Sequence, residues 1–319
     1  MFQSTPGVLI NIVLLTLIIS TINWAVLSNS ITLKRIGIKT LFIGFMFTVF
    51  RLFLPFNIPF PIVLTVPYPF LVQSLSNLFN IEIFGQNLLS ILLIVWISVS
   101  CTLLIRFFYK YIRFKKLLES FSSHNKSDSL SIKIMNSIIT QNHLKKTFKL
   151  IKSDSVQQPF IFGVLNPTIA LPNRYYSECD LKFILTHEIQ HYINRDTLWK
   201  FCFNILKSLY WWLPTIYIID RQLAVFLEIN CDNNCLKDLT YFSKIDYLEC
   251  LLAEARHISK TLNKNIVSSV ITDDSILRKR FDIILLDTQM SKKNRGIVKL
   301  IFYFIFLLSL AIMFFPAVH

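Results

Sequence analysis

The sequence predicts an integral membrane protein that is mainly α-helical, with four transmembrane helices and one cytoplasmic α+β domain. Two observations on composition lead to this fold class. Of the 319 residues, 53% are hydrophobic and only 16% are charged, and the mean hydropathy of +0.52 is too high for an ordinary soluble protein of this length. The net charge of +14 would suit a nucleic-acid-binding protein, but the basic residues are dispersed between apolar runs. They therefore indicate membrane topology, and no direct contact with nucleic acid is expected.

Three apolar runs in the first third of the chain are long enough to cross a bilayer. They span residues 8–28, 38–54 and 88–107. A cleaved signal peptide is the alternative for the first run, but no Lys or Arg precedes it and no small-residue cleavage site follows it. In the second run Arg51 lies near the end, where its side chain can reach the lipid headgroups.

The distribution of basic residues orients these spans. The Pro-rich loop 55–87 contains no Lys or Arg, whereas both are frequent in 108–296. The positive-inside rule therefore places 108–296 in the cytoplasm and the loop outside. The last region, 297–319, supplies the fourth span, at 297–315, and a short tail. Both chain ends are then expected outside, and the Ser-rich segment 121–131 is predicted to be a flexible connection.

A pair of histidines marks the chemical centre of the sequence. The run Thr186-His187-Glu188-Ile189-Gln190-His191 falls within a helix predicted at 180–193, with Ser177 placed to cap its N-terminus. Residues four apart on a helix project from the same face. His187 and His191 therefore have the spacing that two ligands of one zinc ion need.

Further acidic residues could complete a zinc site. Glu188, beside the first histidine, could act as general base towards a water on the metal. Among the other glutamates, Glu228 stands out because it lies on a second predicted helical segment, 221–232. Two histidines and one carboxylate leave a position open for water, which is the catalytic arrangement. Asp232 shares the face of Glu228 and could orient a ligand imidazole.

Three separated stretches resemble the membrane-embedded zinc peptidase domain of the BlaR/MecR receptor peptidases. They are Gln158–Pro172, His187–His191 with the following Asn194-Arg195-Asp196, and Glu228–Asp232. The resemblance spans nearly the whole chain. Carried over, it implies a gluzincin-like metallopeptidase fold and a single zinc ion held by His187, His191 and Glu228. Glu188 would then be the catalytic base.

The resemblance also implies partners and location. It suggests regulatory proteolysis in signalling, at the cytoplasmic face of a bacterial cell membrane, with a protein or peptide as substrate. That substrate would be a cytoplasmic transcriptional repressor or the chain itself, and a homodimer is left open. The receptors continue into an extracellular penicillin-binding sensor domain, whereas this sequence ends at His319. A sensor domain and β-lactam sensing are therefore not expected here.

Two other classes of function compete with the peptidase. A membrane signalling or immunity protein that uses zinc only to hold its fold is the alternative, but a structural site has no need of Glu188. A transporter or channel is disfavoured because the predicted spans contain almost no polar residues for an ion path. For a peptidase, Tyr192 and Arg195 are candidates to hold the oxyanion. Asp196 is expected to fix the end of the zinc helix or to orient a ligand.

The segment before the zinc motif is predicted to contain a helix at 131–139 and three strands, at 147–153, 160–163 and 168–171. The last strand has two interpretations. It could be an edge against which an extended substrate peptide pairs, or part of an ordinary core hairpin.

The segment after the motif is predicted to stay on the cytoplasmic side. Residues 198–219 are expected to form an amphipathic helix on the inner leaflet, because a single crossing would separate Glu228 from His187. A re-entrant hairpin broken at Pro214 is the alternative.

Two further helices are predicted at 247–257 and 276–286. The second carries three basic residues expected in solvent or against lipid: Arg278, Lys279 and Arg280. The six cysteines form no C-x-x-C pair. Cys231 and Cys235 share the helical face of Glu228 and are expected to pack in the core, with a thiolate ligand as the alternative.

Overall fold

The structure, a computed structural model, describes only part of the chain. The described residues are 17–27 without 19 and 23, then 82–83, 86–124, 129–237, 239–262 and 274–286. The predicted spans at 38–54 and 297–315 lie outside these residues, as does much of the span at 8–28. The described part of that first span is helical.

Two compact units make up the chain. The first comprises 1–106, 204–224 and 289–319, and the second comprises 107–203 and 225–288. The second unit contains all six candidate site residues: His187, Glu188, His191, Asp196, Glu228 and Asp232. The predicted domain bounds, which rest on hydropathy, stay a prediction.

One helix in the described part of the chain is long and apolar enough to cross a membrane. It is α1, Leu88–His124, whose apolar stretch is Ser90–Phe121. Its side chains at positions 92–95 and 97 are 45–63% exposed, which suits contact with lipid chains. The predicted third span, 88–107, lies within this helix. The helix continues to His124, so the connection predicted to start at residue 121 begins later.

A short hairpin and long-range hydrogen bonds connect segments of the first unit. The strands β1 (Glu82–Ile83) and β2 (Gln86–Asn87) pair antiparallel just before α1. Within α1, Trp96 Nε1 donates to the carbonyl oxygen of Leu209 at 2.7 Å. This bond ties two segments of the first unit that are far apart in sequence.

The segment 198–219, predicted as one amphipathic helix, is divided between two helices, so the prediction of a single helix was wrong. Its place on the inner leaflet stays a prediction. The two helices are α4 (Asp196–Leu209) and α5 (Pro214–Cys235). Pro214 occupies the first turn of α5, where the missing N–H of proline leaves no helical hydrogen bond unmade. The proline therefore starts a helix that continues through the predicted segment 221–232.

The second unit contains a three-stranded sheet made of β3 (Lys149–Ser153), β4 (Phe160–Phe162) and β5 (Thr168–Pro172). The strand order is β3-β5-β4, with β3 parallel and β4 antiparallel to β5. All three predicted strands are confirmed. The interpretation of the last strand as an edge is wrong, because β5 is hydrogen-bonded on both sides.

A tight turn joins β4 to β5 and depends on one glycine. Gly163 has a φ of 101°, in the left-handed region that glycine enters without steric cost. A Cβ at this position would collide with the carbonyl oxygen of Asn166. Any other residue would therefore force the turn open and disturb the β4–β5 pairing.

The other helices of the second unit enclose a hydrophobic core. They are α2 (Ser129–Gln141), α3 (Glu178–Ile193), α6 (Tyr241–Leu262) and α7 (Asp274–Leu286). One cluster joins α2, α3 and β5, and four of its members are fully buried: Ile169, Leu171, Leu185 and Ile189. A second cluster joins α6 and α7 through buried residues that include Tyr247 and Ile284. The helices predicted at 131–139, 247–257 and 276–286 are confirmed.

Candidate metal centre

Helix α3 carries both candidate histidines. Ser177 caps its N-terminus and accepts a hydrogen bond on Oγ from the Asp180 N–H at 3.1 Å, so the predicted cap is confirmed. Leu185, on the opposite stripe of the helix, is fully buried in the core. This packing fixes the rotation of α3 about its axis. His187 and His191 are thereby held on one side, 8% and 6% exposed.

Three potential ligand atoms from two helices meet at one point. The Nε2 atoms of His187 and His191 are 3.1 Å apart. The carboxylate of Glu228, on α5, lies 3.4 Å from the first Nε2 and 3.6 Å from the second. A tetrahedral zinc ion with bonds of about 2.0–2.1 Å keeps its ligands about 3.3 Å apart. The spacing and chemistry of the donor set therefore fit a zinc ion with one position left for water.

Asp196 holds the ring of His191. Its Oδ2 lies 2.6 Å from His191 Nδ1, and the residue is 1% exposed. The carboxylate accepts a hydrogen bond from the protonated Nδ1, which leaves the Nε2 lone pair free for a metal. Asp196 is also the first residue of α4, and Arg195, with a φ of 61°, makes the turn out of α3. Asp196 therefore lies just after the end of α3 and also against a candidate ligand, the two positions expected of it from the sequence.

A longer chain of hydrogen bonds holds His187. Tyr247, on α6, places its hydroxyl oxygen 2.9 Å from His187 Nδ1 and donates to Asp232 Oδ1 at 2.6 Å. The hydroxyl oxygen accepts a hydrogen bond from the protonated Nδ1, so the Nε2 of His187 is available to a metal. Arg280, on α7, donates to Asp232 at 2.6 and 2.7 Å. Two parallel bonds of this kind make the strong form of an Arg–carboxylate pair.

Sequence reasoning missed two residues that take part in these hydrogen bonds. The expectation that Arg280 lies in solvent or against lipid is wrong, because its side chain is 10% exposed and Nη1 also lies 3.4 Å from Glu228 Oε2. Tyr247 is absent from the sequence predictions, since no spacing relates it to His187. Its only signal was its place at the start of the predicted helix 247–257. Asp232 reaches the imidazole mainly through this tyrosine, its own Oδ1 being 3.4 Å from Nδ1.

The polar groups at this point favour a cation. Burial by itself lowers the pKa of His187, but hydrogen bonds with Cys235 and Glu228 raise that pKa well above 6.5. Burial by itself raises the pKa of Glu228, but the charge of His191, the hydrogen bond from His187 and the charge of Arg280 hold it well below 4.5. The Glu228 carboxylate therefore stays ionised.

Glu188 follows His187 directly on α3 and is 6% exposed. Its charge reaches Glu254 on α6: burial raises the pKa of Glu254, and the nearby Glu188 charge adds to that rise. Glu188 is therefore a buried acidic residue on the same helix as both candidate histidine ligands. Tyr192, a candidate for holding the oxyanion, packs instead against Phe148 in the core, with ring centroids 5.0 Å apart.

A cavity of about 460 Å³ lies elsewhere in the second unit. Side chains from α1 and α4 and the turn at Gly163–Asn166 line it. None of the six candidate site residues is among its lining residues.

Three of the relatives found by comparison with known proteins show what this chain is similar to. Over 223 residues the chain is 26% identical to "Regulatory protein BlaR1" of Staphylococcus aureus, which covers 67% of this chain and 37% of that protein. Over 234 residues it is 24% identical to "Methicillin resistance mecR1 protein" of Staphylococcus aureus strain Mu50, with coverage of 71% and 39%. A "Regulatory protein BlaR1" of Bacillus licheniformis is 26% identical over 160 residues, with coverage of 50% and 26%.

A family model also matches the chain. The chain spans 26–39% of the length of these relatives. The model described as BlaR1 peptidase M56 matches residues 73–284, which is more than half of the chain and includes every candidate site residue. The resemblance stated from the sequence motifs is confirmed, and this chain belongs to the BlaR1 peptidase M56 family.

Proposed function

We propose that this protein is a membrane-bound, zinc-dependent endopeptidase that cuts its substrate at the cytoplasmic face of a bacterial cell membrane. The observation that carries the proposal is the meeting of ligand atoms from His187, His191 and Glu228, which lie 3.1–3.6 Å apart. Glu188 lies beside the first of them, as a catalytic rather than a structural site requires. Membership of a peptidase family supports the same reaction class.

The residues of the centre have separate tasks in this proposal. A zinc ion bound by the two histidines and Glu228 would supply an activated water and polarise the carbonyl of the scissile peptide bond. Glu188 takes the proton of the attacking water and returns it to the leaving amine. Asp196 and Tyr247 keep the imidazole protons on Nδ1, so both Nε2 atoms face the centre.

Charged partners surround the Glu228 carboxylate. Arg280 lies against both Asp232 and Glu228, and its positive charge adds to that of His191 in lowering the pKa of Glu228. Asp232 in turn accepts a hydrogen bond from the Tyr247 hydroxyl. The tyrosine oxygen is thus oriented to accept from His187 rather than to donate to it.

The topology is part of the proposal. Residues 1–107 hold three transmembrane helices and the external loop, 108–296 form the cytoplasmic peptidase domain, and 297–319 hold the fourth transmembrane helix. The apolar helix α1 and its exposed aliphatic side chains support one of these spans. The basic residues after residue 106 support a cytoplasmic peptidase domain.

The proposed biological role is regulatory proteolysis. Two of the relatives are described as regulatory proteins, and the centre as described would act on peptide bonds. We therefore propose that the substrate is a cytoplasmic transcriptional repressor or a segment of this chain itself. The reaction class would be the same in both cases.

The test compares two carboxylates of the centre. Glu188→Gln should keep a stoichiometric zinc ion and lose proteolysis, whereas Glu228→Ala should lose both. Zinc is measured by mass spectrometry of the purified full-length chain, and proteolysis by comparing new protein N-termini in cells that express each variant. Glu249→Gln, at an exposed position of α6, is the matched control and should change neither.

Two outcomes would refute the proposal. Proteolysis that survives in Glu188→Gln would exclude this glutamate as the base, and zinc bound equally well by Glu228→Ala would exclude the ligand set. Zinc bound by the parent chain without any new N-terminus would favour the non-catalytic zinc protein instead.

A further inference from the structure

The ring of His187 has a second group of metal-binding side chains on its other side. Cys231 and Cys235 lie four residues apart on α5, and both are free thiols. One potential ligand atom from each cysteine and one from His187 all lie within 4.8 Å of one another. This group shares only His187 with the candidate zinc ligands.

The measured distances suit a single cation. Cys231 Sγ lies 3.6 Å from His187 Nδ1. An ion bound tetrahedrally by sulfur at about 2.3 Å and by nitrogen at about 2.0–2.1 Å holds those two atoms about 3.5 Å apart. The four-residue spacing puts both thiols on one side of α5. Cys231 is fully buried, whereas Cys235 is partly exposed, so the group is accessible from the Cys235 side.

The two nitrogens of His187 therefore face two different donor sets. Nε2 faces His191 and the Glu228 carboxylate, which together make a set of nitrogen and oxygen donors. Nδ1 faces Cys231 and the Tyr247 hydroxyl. Thiolates select soft cations such as Cu⁺ and Cd²⁺, whereas a set without sulfur gives no such preference.

We propose that Cys231, Cys235 and Nδ1 of His187 form a second cation site, specific for a thiophilic d¹⁰ cation, and that its occupation inhibits the peptidase. The binding half of the proposal stands on the donor geometry alone. The inhibitory half rests on the proposed peptidase function.

Inhibition follows from the loss of one hydrogen bond. A cation at this site displaces the protons of both thiols and of His187 Nδ1, and all three pass to solvent. Nδ1 then no longer donates to the Tyr247 hydroxyl, which otherwise sets the orientation of the ring. The ring is then no longer held with its Nε2 lone pair towards His191 and Glu228, so zinc affinity or peptidase activity falls.

The binding test uses cadmium as the probe. The full chain is purified in detergent with zinc bound and with Glu188→Gln, so that it cannot cut itself. Cd²⁺ is added stepwise while the ultraviolet absorption band of cadmium–thiolate bonds is recorded. Cadmium that replaces zinc at His187, His191 and Glu228 produces no such band, because that set contains no sulfur.

The expected result is a saturable band in the parent that is lost in Cys231→Ser and in Cys235→Ser. Cys179→Ser, which changes an exposed cysteine of α3, is the matched control and should keep the band. Absence of the band from the parent, or its persistence in Cys235→Ser, would overturn the proposal. Cys235→Ser decides the matter even if Cys231→Ser, at a fully buried position, fails to fold.

The inhibitory half is measured in chains that retain Glu188, each normalised to its own rate without cadmium. Cys235→Ser should need on the order of tenfold more Cd²⁺ for half-inhibition, since losing a ligand weakens binding at least as much as losing an outer partner does. Equal inhibition of both chains would overturn this half. If no chain cuts any substrate, the peptidase proposal fails, but the absorption band still decides whether the cation site exists.

Discussion

The two candidate histidines lie four residues apart on one helix, yet networks of very different reach hold them. His191 is held by Asp196, five residues further along the chain. His187 is held through Tyr247, 60 residues away, and then through Asp232 on another helix. The first network is complete within the turn between α3 and α4. The second exists only when α5, α6 and α7 are packed together.

This difference teaches that the candidate centre is coupled to the folding of the whole second unit. A chain fragment containing α3 and α4 can orient His191, but it cannot orient His187. We call Asp196 with His191 the short network, and Tyr247, Asp232 and Arg280 with His187 the long network. Mutations in the long network should lower both stability and zinc affinity, whereas mutations in the short network should lower mainly zinc affinity. Four single substitutions and one double variant test this distinction, from the largest expected effect to the smallest.

Asp232→Ala should have the largest effect, on stability and zinc binding together. It leaves Arg280, whose side chain is 10% exposed, without the carboxylate that it now meets at 2.6 and 2.7 Å. Breaking a buried ion pair in this way costs about 3–5 kcal/mol of unfolding free energy. Denaturant unfolding of the purified chain and its zinc content measure the two effects. Asp246→Ala, at an exposed position of α6, is the control.

A double variant separates the effect of the lost carboxylate charge from the effect of the space that the smaller side chain leaves. Arg280→Met added to Asp232→Ala removes the buried cation that has lost its two shortest hydrogen bonds and should recover much of the lost stability, without restoring zinc affinity. An Asp232→Ala chain that unfolds at the same denaturant concentration as the parent would contradict the long-network account.

Asp196→Asn should lower zinc affinity by about 10–100-fold while changing stability less than Asp232→Ala does. The amide can present a donor to Nδ1, which stabilises the wrong tautomer of His191, but it leaves no unpaired charge. Competition with a chromophoric zinc chelator measures the affinity. Asp154→Asn, at an exposed position outside the centre, serves as control. Unchanged affinity would show that the 2.6 Å contact does not govern the His191 tautomer.

Tyr247→Phe should reduce zinc affinity by about tenfold, the lower end of the range for outer-shell partners. The effect is smaller than that of Asp196→Asn because Asp232 Oδ1 already lies 3.4 Å from His187 Nδ1 and can accept its proton after a small shift. The same competition assay measures it. A loss greater than that of Asp196→Asn would mean that Asp232 cannot replace the hydroxyl as the partner of His187 Nδ1. It would also reverse the predicted order of these two substitutions.

The short network and the ligand spacing could be predicted from the sequence because they depend on local geometry. Helical periodicity places His187 and His191 on one face, and Asp196 follows within a turn of the helix end. The strand bounds follow equally from local composition. The pairing of β3 with the far side of β5 does not, since strand order depends on contacts that are distant in sequence.

The long network could not be predicted for a related reason. Arg278, Lys279 and Arg280 form one basic run, and charge alone does not tell which of them is buried. The answer depends on the rotation of α7 against α5, which places Arg280 against Asp232. Glu228 could be singled out only because few glutamates lie on a helix with a second acidic residue and because the sequence resembles a known family.

Ser177→Ala should have the smallest effect and should act on stability alone. It removes the Oγ that accepts from the Asp180 N–H, and the loss of such a cap costs about 1 kcal/mol. The cap lies about 15 Å along α3 from His187 at 1.5 Å per residue, and the burial of Leu185 between them keeps the rotation of the helix. Zinc affinity in the competition assay should therefore match that of the parent. If it falls as far as in Asp196→Asn, the whole of α3, rather than the two networks, sets the geometry of the ligands.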